Sequence, residues 1–235
     1  MKLTDRMTAI FLGFCFYVVL CFAIPTLMGY SVHPLQPATY LFPHAPPITK
    51  EQINDVLTIT PTDEWTLLEG CELLHSAHND GDSFKFEHEN QVYTARLYFV
   101  DCPETSNAFP PHLSEQSDYM FMRLDRHVSE SEVIAFGKLA ATQLPQILGN
   151  SKFNVYTQFE YGAGRSKPPR IYAMILLPES NRWLCETWTY NGLALIRGRT
   201  PDYMPDGTET KDFLHSLVSL EQSAAKGSRG YWQLK

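Results

Sequence analysis

The chain has 235 residues, 44% hydrophobic and 19% charged, with 26 acids against 19 bases for a net charge of −7. That balance excludes a disordered tail, a collagen and a polybasic nucleic-acid coat. The length suits one full domain with extensions rather than two domains, and the acid excess supplies no long-range attraction for DNA or RNA, so any chemistry on such polymers must be local.

Residues 7–30 read MTAIFLGFCFYVVLCFAIPTLMGY without a charge, about the ~20 apolar residues that an α-helix needs to cross a bilayer. The length favours a retained signal anchor; a cleaved secretory signal, with a weak site at Cys21-Phe22-Ala23, is the alternative. Lys2 and Arg6, with Asp5 beside them, lean toward an N-terminus in the cytoplasm and a body outside it. Beyond residues 1–30 the chain carries −8. Residues 31–48 hold Pro34, Pro37, Pro43, Pro46 and Pro47, which favour extended chain and make this stretch a spacer. The expected organisation is therefore a signal segment at 1–30 and a Pro-rich linker at 31–62, with residues 49–60 as a short lead-in helix. A single domain follows at 63–235. Cys71, Cys102 and Cys185 lie in that domain; export permits one disulfide among them, with all three pairings open. No CxxC or Cys/His spacing points to structural zinc, and His75 and His78 suit a solvent-facing hairpin better than a metal.

Residues 71–75, 83–88 and 92–100 read as three strands of a meander, separated by the turn formers of residues 78–82 and by Glu89-Asn90. Residues 152–159 alternate apolar and polar positions, and residues 170–177 form a fifth strand. Residues 106–117, rich in Pro and Ser, read as a surface insertion. The longer stretch to Ser131 contains Tyr119, Met120, Phe121 and Met122 and reads as a helix packed against the domain. Ser129 and Glu132 have capping-box spacing ahead of Val133, Phe136, Ala140 and Leu144, which predicts a helix up to Pro145. Residues 185–191 predict a short helix ending at Gly192, and residues 209–226 an amphipathic one stopped by Gly227. The fold class expected is α+β, mainly β: a five-stranded oligonucleotide-binding barrel with accessory helices, preceded by the N-terminal transmembrane or signal helix.

Chemistry concentrates at four places. Asp82, with Asp80 beside it, is a hard oxygen donor in a turn that an ordinary hairpin also explains. Arg96 sits in an apolar strand, where a charge needs a partner; the partner is either a structural carboxylate or a bound phosphate. Asp101-Cys102-Pro103-Glu104 places two carboxylates three residues apart at a strand end, with Asp82 and Asp101 able to share a cation and Glu104 able to polarise a water. Arg170 opens the fifth strand after a basic, glycine-containing loop that carries Arg165 and Lys167, and it can grip a phosphate opposite Arg96. The glycines there do not make a nucleotide-binding fingerprint.

These residues in this order resemble the thermonuclease family typified by staphylococcal nuclease. The resemblance rests on Asp80-Gly81-Asp82-Ser83-Phe84, on Arg96-Leu97 leading to Asp101-Cys102-Pro103-Glu104-Thr105, on Arg170 before Ala173, on Gly192-Leu193-Ala194 and on Gly230-Tyr231-Trp232. It covers residues 68–232 with gaps. It implies an oligonucleotide-binding barrel that cleaves DNA and RNA phosphodiesters with Ca2+, Mg2+ being the alternative ion. By position, Asp82 and Asp101 would be side-chain metal ligands and Cys102, where the family often has Thr, would contribute its main-chain carbonyl. Glu104 would be the general base, Arg96 and Arg170 would bind the scissile phosphate, and Lys167 would be a substrate contact. The chain departs from the family at Pro168-Pro169, where Tyr-Gly is common, so Arg165 competes with Arg170; the strand position favours Arg170. Tyr156, Tyr161 and Tyr203 are candidate platforms for bases, Tyr156 being better suited to the core.

The functional expectation is an extracytoplasmic metal-dependent nuclease, anchored or secreted, with nucleic acid as substrate and no obligate protein partner. The alternative is a non-catalytic barrel that binds a polymer or protein, which the −8 body and the proline pair would suit.

Overall fold

The computed structural model describes residues 65–235 except 150, 165 and 178. The apolar span, the spacer, the expected lead-in helix and the competing Arg165 thus lie outside the described residues. Among the described residues no helix is long and apolar enough to cross a membrane.

Five strands close on themselves. β1 (Thr66–Leu73), β2 (Ser83–His88) and β3 (Gln91–Leu97) form an antiparallel meander, and β5 (Phe153–Tyr161) pairs with both β1 and β6 (Arg170–Leu177). The ring is completed by a parallel pairing of β3 with β6, Thr94 opposite Arg170 and Leu97 opposite Ala173. A closed barrel leaves no free edge, and this mixed closure makes the molecule an oligonucleotide-binding-like barrel in an α+β protein. Period-2 patterning turns Phe84, Phe86, Ala95, Leu97, Val155, Ala173 and Ile175 inward, all of them buried.

β2 and β6 span the residues that alternation predicts, while β1 begins five residues earlier than expected and ends at Leu73. The third strand does not run on to Val100. Phe99 adopts φ 70°, the chain turns, and the short β4 (Val100–Asp101) pairs with β8 (Leu195–Ile196) outside the barrel. That turn is what lifts Asp101 to the barrel mouth.

Helix α1 (Pro110–Leu124) corrects the reading of residues 106–117 as a surface insertion. A helix does pack here as expected, but it starts inside that stretch. Prolines occupy its first turn, where no backbone N–H is needed, and Leu113, Gln116, Ser117, Met120 and Leu124 form its buried face. Helix α2 (Glu130–Leu148) starts on the expected capping box, Ser129 accepting from the Glu132 amide and Glu132 from that of Ser129, and it continues through Pro145. α3 (Leu184–Tyr190) follows the short β7 (Arg182–Trp183), and α4 (Thr210–Lys226) buries Phe213, Leu217, Glu221 and Ala224. The terminal 3-10 turn (Gly230–Leu234) docks on the loop after α3, the Tyr231 amide donating to the Gly192 carbonyl at 2.9 Å. Gly192 and Gly230 both have positive φ, and a Cβ on Gly230 would stand 2.0 Å from the Gly192 oxygen, so this close crossing requires glycine. Cys71, Cys102 and Cys185 are buried free thiols, so the one disulfide that export would permit does not form among them.

Candidate active site

The turn before β2 is longer than a two-residue hairpin and is built on side chains. Asp80 Oδ1 accepts from the amides of Asp82 (3.2 Å) and Ser83 (2.6 Å), while Asn79 Oδ1 accepts from the Lys85 amide and its Nδ2 donates to the Leu74 carbonyl. Such Asx bonding shapes a turn without strand pairing. It delivers Asp82, 2% exposed, beneath the barrel mouth. There Asp82 Oδ2 accepts from the Cys102 amide at 2.6 Å and Oδ1 from the Ser83 hydroxyl at 3.1 Å.

Ser83 lies opposite Arg96 across the β2–β3 pair. From that position the guanidinium spans two carboxylates, with Nη1 2.8 Å from Asp82 Oδ1 and Nη2 2.6 Å from Asp101 Oδ1. Of the two partners expected for Arg96, the structural carboxylate is therefore present, and it is present twice. The carboxylates hold the guanidinium firmly protonated despite its burial, which acts the other way.

The segment from Asp101 to Glu104 is clamped by two helices. From α1, Gln116 Nε2 donates to Asp101 Oδ2 (2.8 Å) and to the Cys102 carbonyl (2.9 Å), and its Oε1 accepts from the Glu104 amide (2.8 Å). One turn earlier on the same face, His112 reaches Glu104 Oε1 with Nδ1 (2.7 Å) and Asp101 Oδ2 with Nε2 (3.2 Å). From α2, Gly137 abuts the Pro103 and Glu104 carbonyls. Neither His112 nor Gln116 was among the residues expected from sequence. The signal for them was Pro110-Pro111 read as a helix start, with polar residues at i and i+4 behind it.

A cleft of about 750 Å³ opens over these groups, lined by Asp80, Arg96, Glu104, Phe109, His112, Arg170 and Tyr172 among others. Arg170 reaches it from β6. Its Nη1 donates to the Ala163 carbonyl at 3.3 Å, and its buried Nε has no partner among the described residues. Lys167 is exposed and does not line the cleft. Tyr156 is a core residue as expected, whereas Tyr161 is 73% exposed at the end of β5. His75 and His78 face solvent.

Electrostatics divide the carboxylates. Burial, and then the Asp82 charge, push Asp80 well above the ordinary carboxylate range. Burial also raises Asp82 against the pull of Arg96. Asp101 is lowered, because the hydrogen bond from His112 and the Arg96 charge outweigh its desolvation. Hydrogen bonds to Asp101 and Glu104 push His112 up to about 10. Burial and the nearby Asp82 raise the Cys102 thiol well above its usual value, so it is no nucleophile.

Among the described residues no three His, Cys, Asp or Glu side chains form a ready-made metal cluster. The donor chemistry is nonetheless of the kind a hard cation takes: two buried carboxylates and a main-chain carbonyl are oxygen donors, and added positive charge would offset the burial that raises Asp80 and Asp82. No protein-family model matches the sequence, and no curated protein matches it.

Proposed function

We propose that this protein is a metal-dependent phosphodiesterase of the thermonuclease type that hydrolyses DNA or RNA outside the cytoplasm, either anchored by residues 7–30 or secreted. The observation that carries the reading is the convergence of Arg96, Glu104 and Arg170 on one cleft. Hydrolysis of a phosphodiester requires an oriented water, a proton acceptor and charge neutralisation around phosphorus. Glu104 is the acceptor, its Oε2 having no hydrogen-bond partner among the described residues. Arg170 lines the cleft and makes only a 3.3 Å bond to the Ala163 carbonyl, and its planar fork matches a phosphate's oxygens bidentately. Arg96 lines the same cleft from the β3 side, and a cation on Asp82 and Asp101 would release its guanidinium from them to the phosphate. Asp82, Asp101 and the Cys102 carbonyl would hold Ca2+, or Mg2+, which when bound supplies neutralising charge and acidifies a water.

The test is digestion of plasmid DNA and of RNA by the full chain in Ca2+, in Mg2+ and in excess chelator. Cleavage that needs a divalent ion and is lost in Asp82→Asn supports the reading. Cleavage that persists in chelator removes the metal from the mechanism. Binding of nucleic acid without cleavage under any of these conditions favours the second reading, a non-catalytic binding barrel.

A further inference from the structure

Glu104 lies in a short turn with its side chain 30% exposed, and a glutamate in such a place ordinarily samples several rotamers, which costs entropy to order. Here one of its oxygens is taken. His112 Nδ1 stands 2.7 Å from Oε1, while Nε2 stands 3.2 Å from Asp101 Oδ2. Both neighbours are carboxylates, so Nδ1 donates to Glu104 while Nε2 is ion-paired with Asp101, and the imidazole is fixed at two points.

The ring's own position is also determined. Pro110 and Pro111 set the backbone of the first turn of α1, and Gln116, 0% exposed, ties that helix to the Asp101–Glu104 turn through three hydrogen bonds. Phe109 closes the outer side, its ring 6.4 Å from the imidazole and edge-on to it. A catalytic carboxylate gains from such support, since a misplacement of about 1 Å can cost ~100-fold in rate.

We propose that His112 is the positioning residue for Glu104: its Nδ1 hydrogen bond holds Oε1, directs Oε2 to the reacting water, and is itself anchored through Nε2 on Asp101. The proposal deepens the phosphodiesterase reading and rests on it for the catalytic consequence. The placement of His112 against Glu104 stands independently.

Two amide side chains separate the two ring contacts. Asparagine places its nitrogen near Nδ1, and glutamine places its nitrogen near Nε2. In the full chain, His112→Ala and His112→Gln are expected to lower kcat by about 30- to 100-fold with KM changed less than ~2-fold, and His112→Asn to recover kcat to within ~5-fold of wild type. A purely structural role would lower all three alike and move Tm in parallel. Equal losses in the Asn and Gln variants, no loss in the Ala variant, or better recovery by Gln than by Asn overturns the proposal. A second readout needs no activity. In full chain carrying 15N-labelled histidine, a far-downfield Nδ1 proton is expected that disappears in His112→Asn and in Glu104→Ala. Should the wild type cleave no phosphodiester, the catalytic reading alone falls and this proton decides the placement: its presence supports the His112–Glu104 assignment, and its absence overturns it.

Discussion

A methyl group on Gly137 would stand 2.3 Å from the carbonyl oxygens of both Pro103 and Glu104, so α2 and the turn carrying the proposed base meet backbone to backbone. Two opposing effects decide what Gly137→Ala does. Alanine gains about 1 kcal/mol of helix propensity, but the added carbon meets main-chain atoms that cannot swing aside, and overpacking of that kind costs about 1–3 kcal/mol. The clash is expected to win. Tm should fall by about 2–8 °C and cleavage should weaken with it; calorimetry of the variant checks this, and an unchanged or raised Tm would contradict the close packing.

The two cleft arginines are expected to separate stability from activity. Arg96 pairs with two carboxylates whose side chains are 3% exposed, and removing one partner of such a buried set costs about 3–5 kcal/mol. Arg170 makes a single 3.3 Å bond to Ala163 and no ion pair among the described residues. Arg170→Ala should therefore unfold within about 1 kcal/mol of wild type while losing roughly 100- to 1000-fold in kcat. Arg96→Ala should lose both stability and activity. Urea titrations beside cleavage rates measure the contrast, and equal destabilisation by the two variants would be inconsistent with it.

Much of this architecture is legible in the chain, and the failures have physical causes. β2 and β6 are bounded by turn formers and alternate cleanly, so their ends coincide with the pattern. β1 begins in Thr66-Leu67-Leu68, where adjacent apolar residues hide a two-residue period. The end of β3 depends on the left-handed conformation of Phe99, which nothing local in an aromatic residue announces. Asp82, Arg96, Asp101 and Glu104 were legible because charges beside apolar strands are conspicuous. His112 and Gln116 were not, because a proline pair reads as a helix breaker when it is a helix start. Their roles come from a tertiary contact with a turn 8 to 15 residues away.

Acid sensitivity should originate partly at the start of α2. Desolvation works against the Glu132 charge, but hydrogen bonds from the Ser129 amide and hydroxyl and the Arg126 pair outweigh it and lower its pKa. A folded-state pKa below the unfolded one contributes stability above the ordinary glutamate range, near 4.5, and that contribution disappears as pH falls through the folded value. Because the group is partly exposed, the contribution is below about 1 kcal/mol. Glu132→Gln should be less stable than wild type at pH 7, and the gap should narrow below pH 4.5. Unfolding titrations at both pH values test this, and a gap that widens in acid would contradict it.

The proposed role of Glu104 is that of a base at a phosphodiester held between two guanidiniums. The most direct measurement is the cleavage rate of a fluorescently labelled single-stranded oligonucleotide by wild type and by Glu104→Gln, at saturating Ca2+ and substrate. A fall in kcat of at least ~100-fold with KM nearly unchanged is predicted for loss of a general base. Equal rates for the two proteins, or a loss expressed only in KM, would contradict it.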